Sequence, residues 1–368
     1  MTDPFDLGDA IGPEQVIFMQ RPEVGLKAIL VVDNVAAGPA IGGARMAPDV
    51  TLEECARLAR AMTLKNAAAG LPHGGGKSVI MADPAMPEAA KERLVRAFAR
   101  AIGPIADYIV GPDMGTDGRC MAWARDEIGR AVGLPREIGG IPLDEIGATG
   151  FGLAVAGEVA EDYSDVTLKG ARVAVQGFGA VGRHAARFLG ERGAILVAAS
   201  DSRGTISDPG GLDVEALTAL KRDGRSVTDH DRGTKGGIDA IVDADCDIWI
   251  PAARPDIIDL AAAGRLKAKL VLEGANIPST PDAEARLHER GILVVPDFIA
   301  NAGGVISASV EYHGGTEAQA FAAIDDRIRR NTAEVLERAR SEDTTPRAAA
   351  TAMARARVAT ASGLRRFR

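Results

Sequence analysis

The chain has 368 residues, of which 46% are hydrophobic and 26% charged, and its formal net charge is -8. Because domains usually hold roughly 100–200 residues, this length predicts two domains with sizeable cores that need no disulfide or metal staple. The acidic balance argues against nucleic acid or an anionic membrane as the main partner.

The cysteines and the first residues predict a soluble protein of the cytoplasm. Cys55, Cys120 and Cys246 are far apart and show no CxxC spacing, which argues against a disulfide framework or a zinc site. The first residues, "MTDPFDLGDAIGPEQ", are acidic and lack the charged and then apolar pattern of a signal peptide. No apolar run approaches the ~20 residues that cross a bilayer. We therefore expect no metal, no membrane and no nucleic acid.

Short β-like runs alternate with helical patterns in the first half of the chain. In chain order, the predicted elements are strands at 16–20, 26–33 and 40–46, a helix over 51–70, a strand at 77–83, a helix over 87–102, a strand at 106–113 and a helix from about residue 117. Thr51 and Glu54 form a capping-box pattern at the start of the first helix, and Gly70 with Pro72 predicts its end.

From residue 171 the pattern becomes strand, glycine turn, helix and strand. Short buried strands are predicted at 171–176, 194–200, 246–253, 270–276 and 292–297. The intervals leave room for crossover helices, which predicts a parallel doubly wound sheet. We therefore expect an α/β protein with an N-terminal α/β domain over 1–145 and a Rossmann-type domain over 146–330. The C-terminal helices, about 330–368, could pack back on the first domain.

The stretch "GFGAVG" has the GxGxxG spacing of a dinucleotide-binding turn. It follows a predicted strand and opens a predicted helix, which is the context that this motif requires. The first glycine permits the tight turn, the second lets the backbone approach the pyrophosphate, and the helix N-terminus attracts its charge. The predicted cofactor-binding turn consists of Gly177, Phe178, Gly179, Ala180, Val181 and Gly182.

Asp201 ends the next predicted strand and is the candidate acceptor for the adenosine ribose hydroxyls. Its carboxylate would repel a 2′-phosphate, which favours NAD. Arg203, two residues on, could soften that repulsion and leaves NADP open. An ordinary turn aspartate is the alternative interpretation.

Because a nicotinamide carries the hydride, the protein must bind the substrate and move protons. The first domain offers Lys65 among small and apolar residues, Lys77 directly after three glycines, and Asp113 after an apolar strand. Two lysines near an apolar wall should depress at least one pKa, which would give a base. The glycines before Lys77 would keep side chains out of the reacting zone.

The glycine-rich stretch "GLPHGGGKS" does not match a nucleotide triphosphate loop. The pattern GxxxxGK would require a glycine where Leu71 stands. The predicted order, helix and then strand, is also the reverse of a phosphate loop.

Four stretches together carry a family resemblance: "MTLKNAAAGLPHGGGKSVI", "GPDMGTDG", "VAVQGFGAVG" and "LEGANIPSTPDAEARLHERGILVVPDFIANAGGV". From about residue 25 to the C-terminal helices, the chain resembles the glutamate/leucine/phenylalanine/valine dehydrogenase family. The resemblance implies oxidative deamination of an L-amino acid to a 2-oxo acid and ammonia, the reverse reaction, and a homo-oligomer.

The resemblance also implies roles for individual residues. Lys65 would bind the α-carboxylate, Lys77 would activate water as general base, and Asp113 would shuttle protons to and from the amine. Further substrate contacts would come from Gly75, Gly76, Gly111, Ile41, Val305, Ala308 and Asn276. Thr149, Asn276 and Asn301 would frame the nicotinamide. Ala180 departs from the family, because many glutamate-type members carry asparagine there.

Two positions predict which side chain the substrate carries. Glutamate-specific members have a lysine just before the GG of GGxR, where this chain has Ile41, and a serine where it has Ala308. Burying an unpaired carboxylate costs several kcal/mol, whereas an apolar side chain would gain roughly 1–3 kcal/mol. Gly111 and Ala308 leave space, so the predicted substrate has a branched or aromatic side chain.

Glutamate dehydrogenase is the alternative within the enzyme class, because "EIGATGFG" and "ANIPSTPDAEA" look more like the glutamate branch. Ile41 could also be a plain strand core residue. A non-catalytic dinucleotide-binding regulator ranks lower, since Lys65, Lys77 and Asp113 are all present.

Overall fold

The computed structural model describes residues 4–365, so the ends of the predicted domains, 1–3 and 366–368, lie outside it. Two compact units are present. The first contains the described part of Met1–Leu143, Val305–Ala323 and the described part of Thr351–Arg368. The second contains Asp144–Gly304 and Ile324–Ala350. The predicted two-domain α/β class is confirmed.

The first unit is built on one mixed sheet. Its strands are β1 (Gln15–Arg21), β2 (Leu26–Asn34), β3 (Ala40–Ala47), β4 (Gly75–Met81) and β5 (Tyr108–Pro112), and its first helices are α1 (Leu52–Ala68), α2 (Glu88–Ile102) and α3 (Gly118–Ile128), with 3-10 turns at Pro4–Leu7, Pro22–Val24 and Arg136–Ile138. The sheet order is β1-β2-β4-β3-β5. The pairs β1/β2 and β2/β4 are antiparallel, whereas β3/β4 and β3/β5 are parallel. The carboxyl ends of β3 and β5 therefore lie on the same side.

The predicted capping box at the start of α1 is only half formed. Thr51 Oγ1 accepts a hydrogen bond from the Glu54 backbone N–H at 3.1 Å, as predicted. The Glu54 carboxylate contacts Arg45 at 2.5 Å. A nearby guanidinium gives a stronger, charge-assisted hydrogen bond than a backbone amide. Glu54 therefore pairs with Arg45 on β3 and does not complete the capping box.

The second unit carries the predicted doubly wound sheet. Its strands are β6 (Arg172–Gln176), β7 (Ile195–Asp201), β8 (Gly204–Ser207), β9 (Thr234–Gly236), β10 (Ile248–Pro251), β11 (Leu270–Leu272) and β12 (Leu293–Val295). The remaining helices of the chain are α4 (Leu143–Ile146), α5 (Ala148–Ala160), α6 (Ala180–Gly190), α7 (Val214–Arg222), α8 (Leu260–Arg265), α9 (Pro281–Glu289), α10 (Asp297–Ala300), α11 (Gly303–Tyr312), α12 (Glu317–Ser341) and α13 (Pro346–Gly363), with 3-10 turns at Glu161–Tyr163, Val227–Asp229 and Ile238–Asp243.

The strand order of this sheet is β12-β11-β10-β6-β7-β8-β9. The pairs from β12 to β7 are parallel, but β7/β8 and β8/β9 are antiparallel. The predicted parallel doubly wound sheet is therefore confirmed from β12 to β7, and two antiparallel strands that were not predicted extend one edge, because strands of four and three residues are too short to show a periodicity. The order reverses between β6 and β10, where doubly wound sheets open a crevice.

The boundary between the two units in the C-terminal part of the chain does not lie at residue 330. Val305–Ala323 groups with the first unit, although the sequence placed it in the Rossmann-type domain. The reason is apolar packing, since Ala308 belongs to a buried cluster with Ile41, Ile109 and Val132. Ile324–Ala350 groups with the second unit. In the part of the chain that the structure describes, no helix is long and apolar enough to cross a membrane.

Arg130 holds the carboxyl end of α2 in the first unit. Its Nη2 donates to the carbonyl oxygens of Ile102, Gly103 and Ile105 at 2.8–2.9 Å, and its Nε donates to Tyr108 O at 3.0 Å. These carbonyls lie where a helix ends and cannot find helical partners. One half-buried guanidinium therefore joins α2 to β5.

We predict that Arg130→Met lowers stability by about 2–4 kcal/mol, because it leaves several carbonyl oxygens without a charged donor. The melting temperature should fall by several degrees, measured by circular dichroism. Arg119→Met, which removes an exposed pair with Glu88, is the matched control and should melt like the wild type. Equal melting of both variants and the wild type would contradict this role.

Candidate active site

A buried ion pair joins two of the predicted catalytic residues in the first unit. Lys77 lies on β4, Asp113 follows β5, and β3 runs between the two strands. The Lys77 ammonium contacts Asp113 Oδ2 directly. Lys77 is 5% exposed, and the Asp113 side chain is 14% exposed. The partner of Lys77 in this contact is therefore a carboxylate, and the expected proximity of Lys65 to Lys77 stays a prediction.

Arg45 is a site residue that the sequence analysis missed. Its Nε lies 3.5 Å from the same Asp113 oxygen, while its Nη1 contacts Glu54 Oε1 at 2.5 Å. Burial alone would raise the pKa of Asp113, but the charges of Lys77 and Arg45 outweigh it and hold that pKa below its usual value. Asp113 is therefore an ionised acceptor at neutral pH. The available signal was the arginine of "GGARM", which lies near the carboxyl end of β3 and beside Asp113.

The glycines before Lys77 make room for the chain itself, which corrects the prediction of space kept for a substrate. A methyl group on Gly74 would lie 1.7 Å from Asn34 O, and one on Gly75 would lie 2.0 Å from Thr63 N. A methyl group on Gly76 would lie 3.1 Å from the Tyr108 ring. These glycines let β4 approach α1, β2 and Tyr108 closely. Contacts of the Gly75 and Gly76 backbone with substrate stay a prediction.

The neighbouring strand needs two glycines for the same reason. A methyl group on Gly42 would lie 1.7 Å from Gly76 O, and one on Gly43 would lie 2.8 Å from Asp113 Cβ. Gly43 therefore makes the space in which Asp113 reaches Lys77. The need of β3 for these two glycines was not predicted from the sequence.

Lys65 lies in the last turn of α1, on a partly exposed part of the helix. The next residue, Asn66, is fully buried, and its Nδ2 donates to Gly74 O at 2.6 Å. This amide ties the end of α1 to the glycine stretch that leads to Lys77. Asn66 is a second missed residue, and its signal was a polar side chain within "KNAAAG".

The predicted side-chain pocket corresponds to an apolar cluster in the first unit. Ile41, Ile109, Val132 and Ala308 form a buried cluster, and each is 3% exposed or less. Ile41 on β3 is paired with Ile109 on β5 and with Gly75 on β4. A methyl group on Gly111 would lie 3.2 Å from Val132 Cγ2. Val305 precedes Ala308 by one turn of α11 and is partly exposed.

The second unit places the glycine turn at the switch point between β6 and β10. Gly177 has φ +92°, and a methyl group there would lie 2.8 Å from Cα of Ala253, which follows β10. A methyl group on Gly182 would lie 2.2 Å from Gly177 O. For Gly179, no such neighbour lies within 4 Å among the described residues. The first and third glycines close the turn, and the second leaves the approach open, so the turn fits a pyrophosphate.

The residues around these glycines have different roles. Phe178 is fully buried and its N–H donates to Ser200 O at 2.7 Å, so its side chain belongs to the core, which corrects its place among the cofactor contacts. Ala180 and Val181 begin α6 and are partly exposed. Their N–H groups lie in the first helical turn, where anions bind.

Asp201 ends β7 as predicted, but the chain already supplies its hydrogen-bond donors. The carboxylate accepts from Lys221 Nζ at 2.7 Å and Ser226 Oγ at 2.9 Å, and from the N–H groups of Arg203 and Val227 at 2.9 and 3.0 Å. Burial opposes ionisation, yet these donors keep the pKa of Asp201 below its usual value. A ribose hydroxyl would have to share or displace one of them, so the contacts support the alternative, a structural turn aspartate.

The two predicted asparagines meet in the second unit. Asn301 is buried, and its Nδ2 lies 3.2 Å from Asn276 Oδ1, Gly274 O and Ala275 O. Thr149, at the start of α5, lies beside Gly304, where a methyl group would be 3.2 Å from Thr149 Oγ1. In the described part of the chain, no group of His, Cys, Asp and Glu side chains is arranged to hold a metal ion.

We predict that Gly179→Ala and Gly177→Ala separate cofactor binding from folding. Gly179 has φ -91°, which alanine adopts, so Gly179→Ala should melt like the wild type but bind NADH roughly tenfold more weakly or worse. Gly177→Ala is strained in the left-handed region and should lower the melting temperature. NADH fluorescence titration and thermal melting measure the two effects. Unchanged NADH affinity in Gly179→Ala would contradict the assignment of this turn.

Comparisons with known proteins support the same assignment. The family model described as Glutamate/Leucine/Phenylalanine/Valine dehydrogenase matches residues 139–366, and the Glu/Leu/Phe/Val dehydrogenase dimerisation domain matches residues 13–130. A glutamate dehydrogenase of Aeropyrum pernix is 40% identical over 322 residues, which cover 82% of this chain and 77% of the relative.

An NADP(+)-dependent glutamate dehydrogenase of Pyrobaculum calidifontis is 41% identical over 300 residues, which cover 77% of this chain and 71% of the relative. The hetero-hexameric glutamate dehydrogenase of Thermus thermophilus, in a leucine-bound form, superimposes with a TM-score of 0.88 at 31% identity and covers 97% of this chain and 91% of that chain. The chain therefore belongs to the glutamate/leucine/phenylalanine/valine dehydrogenase family and is an NAD(P)-dependent L-amino-acid dehydrogenase.

Proposed function

We propose that this chain converts an L-amino acid reversibly to its 2-oxo acid and ammonia, with Lys77 and Asp113 moving the protons. The observation that supports this proposal is their buried contact beside Arg45. When bound, NAD(P) supplies the hydride acceptor. The reaction also needs a group that activates water and a group that exchanges a proton with the amine, and the pair offers both.

Each member of the pair is suited to a different step. Asp113 is held ionised, so it can accept a proton from the substrate ammonium. Lys77 touches Asp113, so a proton can pass between them without leaving the buried site. Once Lys77 has released its ammonium proton to solvent, its neutral amine can accept a proton from the attacking water, and Asp113 returns its proton to the departing amine nitrogen. Lys65, at the end of α1, is the proposed partner of the α-carboxylate.

We predict that Lys77→Met and Asp113→Asn each lower kcat roughly 10²–10⁴-fold, the usual contribution of a general acid or base. Lys27→Met is the matched control, because Lys27 is exposed on β2, and it should keep wild-type kcat. Steady-state NADH formation measures all three. Full activity in Lys77→Met would remove the base assignment.

The comparisons favour the alternative among the two substrate predictions. The reported relatives are named glutamate dehydrogenases, so glutamate, the alternative in the sequence analysis, is better supported than an apolar amino acid. The likeness extends over most of the chain. We therefore place glutamate first among the substrates to be measured.

An apolar amino acid is the second candidate, and one observation favours it. The positions expected to meet the substrate side chain belong to the buried cluster of Ile41, Ile109, Val132 and Ala308. A carboxylate that loses its hydration there needs a donor. An aliphatic or aromatic side chain gains free energy from the same burial.

A panel of L-amino acids distinguishes the two candidates. NADH and NADPH formation with glutamate, leucine, valine, phenylalanine and tryptophan gives kcat/KM for each. The highest value with glutamate would reject the apolar pocket, and the highest value with leucine, valine or an aromatic amino acid would reject the order that the relatives suggest. No reaction with any of them, alongside intact NADH binding, would support a regulator.

We predict that Ile41→Lys raises the ratio of kcat/KM for glutamate over leucine by roughly tenfold or more, because an ammonium pairs with the side-chain carboxylate. Ala308→Ser, a smaller change in the same cluster, should move the ratio in the same direction. A ratio unchanged in both folded variants would make Ile41 a plain core residue of β3.

The cofactor and the assembly are proposed on separate grounds. Lys221 neutralises Asp201, which weakens the expected repulsion of a 2′-phosphate, and a relative is named NADP(+)-dependent. We therefore expect NADP to be used beside NAD.

The match to a dimerisation domain supports a homo-oligomer, which light scattering tests. The three free, buried cysteines suit the cytoplasm.

A further inference from the structure

Arg347 lies at the centre of a buried ionic cluster in the second unit, far along the sequence from the site residues. It is the second residue of α13. Its guanidinium contacts Glu273 Oε2 at 2.6 Å, Asp297 Oδ1 at 2.9 Å and Glu284 Oε1. Glu273 is fully buried and Asp297 is 5% exposed. One cation thus satisfies three carboxylates that have little access to water.

The free oxygens of these carboxylates hold one loop. Asp297 Oδ2 accepts from the Ile277 N–H at 2.8 Å, and Glu273 Oε1 accepts from Ser279 Oγ at 2.5 Å. Glu273 Oε2 also accepts from the Asp297 N–H at 3.0 Å. The loop from 273 to 279 is therefore fixed by the same carboxylates that Arg347 fixes.

The backbone of this loop needs such support. Ile277 has φ +49°, the left-handed region that β-branched residues avoid. Such a conformation persists only where the surroundings over-determine it. Besides the Asp297 contact, Asp256 N donates to Ile277 O at 2.9 Å. The strained residue directly follows Asn276.

The other side of the loop is held by Asn301. Its Nδ2 reaches Gly274 O, Ala275 O and Asn276 Oδ1, each at 3.2 Å. Asn301 thus fixes the residues before Ile277, and the ionic cluster fixes those after Asn276. The direction of the Asn276 side chain depends on both.

We propose that Arg347 is a positioning residue, which holds Asn276 in its binding conformation by keeping Glu273 and Asp297 ordered against the strained backbone of Ile277. This inference rests on the proposed function and on the nicotinamide contact that the family resemblance predicts for Asn276. Arg347 does not itself touch the cofactor in this proposal. It acts through two carboxylates and one backbone torsion angle.

The test uses NADH binding without amino acid, measured by NADH fluorescence, together with thermal melting. Arg347→Met should raise the NADH Kd roughly tenfold or more. Arg347→Lys should recover part of the loss, since an ammonium keeps the charge but not the planar fork. Arg265→Met, which removes an exposed pair with Asp243 in the same unit, should leave the Kd unchanged.

A second substitution separates positioning from stability. Glycine adopts positive φ without strain. Ile277→Gly should therefore raise the NADH affinity of Arg347→Met by a larger factor than it raises the NADH affinity of the wild type. Hydrogen exchange of residues 273–279 in the cofactor-free protein should be faster in Arg347→Met and slower again in Arg347→Lys.

Two results would overturn the proposal. One is a lower melting temperature in Arg347→Met with wild-type NADH affinity, which would make the arginine a stabilising residue only. The other is that Ile277→Gly changes the NADH affinity by the same factor in the wild type and in Arg347→Met. If Arg347→Met does not fold, Arg347→Lys and its Ile277→Gly combination provide the same comparison. Failure of the proposed function appears separately, as a wild type that binds NADH but turns over no amino acid.

Discussion

The contact between Lys77 and Asp113 is the constraint on which the first unit depends. Two charges lose their hydration there, which costs free energy unless their geometry and further partners compensate. Arg45 and Glu54 extend the pair into a chain of alternating charge. The glycines of β3 and β4 bring the strands close enough for the contact to form. The proposed proton transfer and the packing therefore place demands on the same short segments, and a change in either strand affects both.

Local patterns predicted most of the fold. The strands, the long helices and the dinucleotide turn follow from hydrophobic periodicity and glycine spacing, which act over short distances. The antiparallel edge strands β8 and β9 were not predicted, because they are too short to show a hydrophobic pattern.

The candidate site was predicted less completely than the fold. Lys77 and Asp113 were found through their contexts and the family resemblance, but Arg45 and Asn66 act through partners that are distant in sequence. Asp201 looked like a ribose acceptor because its four donors cannot be seen in the sequence.

Different parts of the chain favour glutamate and an apolar amino acid as the substrate. The likeness to glutamate dehydrogenases is an average over some 300 residues, most of which support the fold. The apolar cluster consists of four residues, and exchanging one or two of them can change a side-chain preference without altering overall identity. Overall sequence similarity therefore indicates the reaction more firmly than it indicates the side chain of the substrate. For this reason, the kinetic panel of amino acids is decisive.

Neither unit is a continuous piece of chain, since Val305–Ala323 returns to the first unit and Ile324–Ala350 to the second. This arrangement limits how such an enzyme can be recombined. A crossover between two homologous genes near residue 143 would exchange Ile41, Ile109 and Val132 together but leave Ala308 from the other parent. The proposed side-chain pocket of the hybrid would then combine residues from two parents with different substrates. An exchange that keeps the four residues together needs a second crossover, between residue 143 and α11, so inheritance of the proposed specificity requires two linked events.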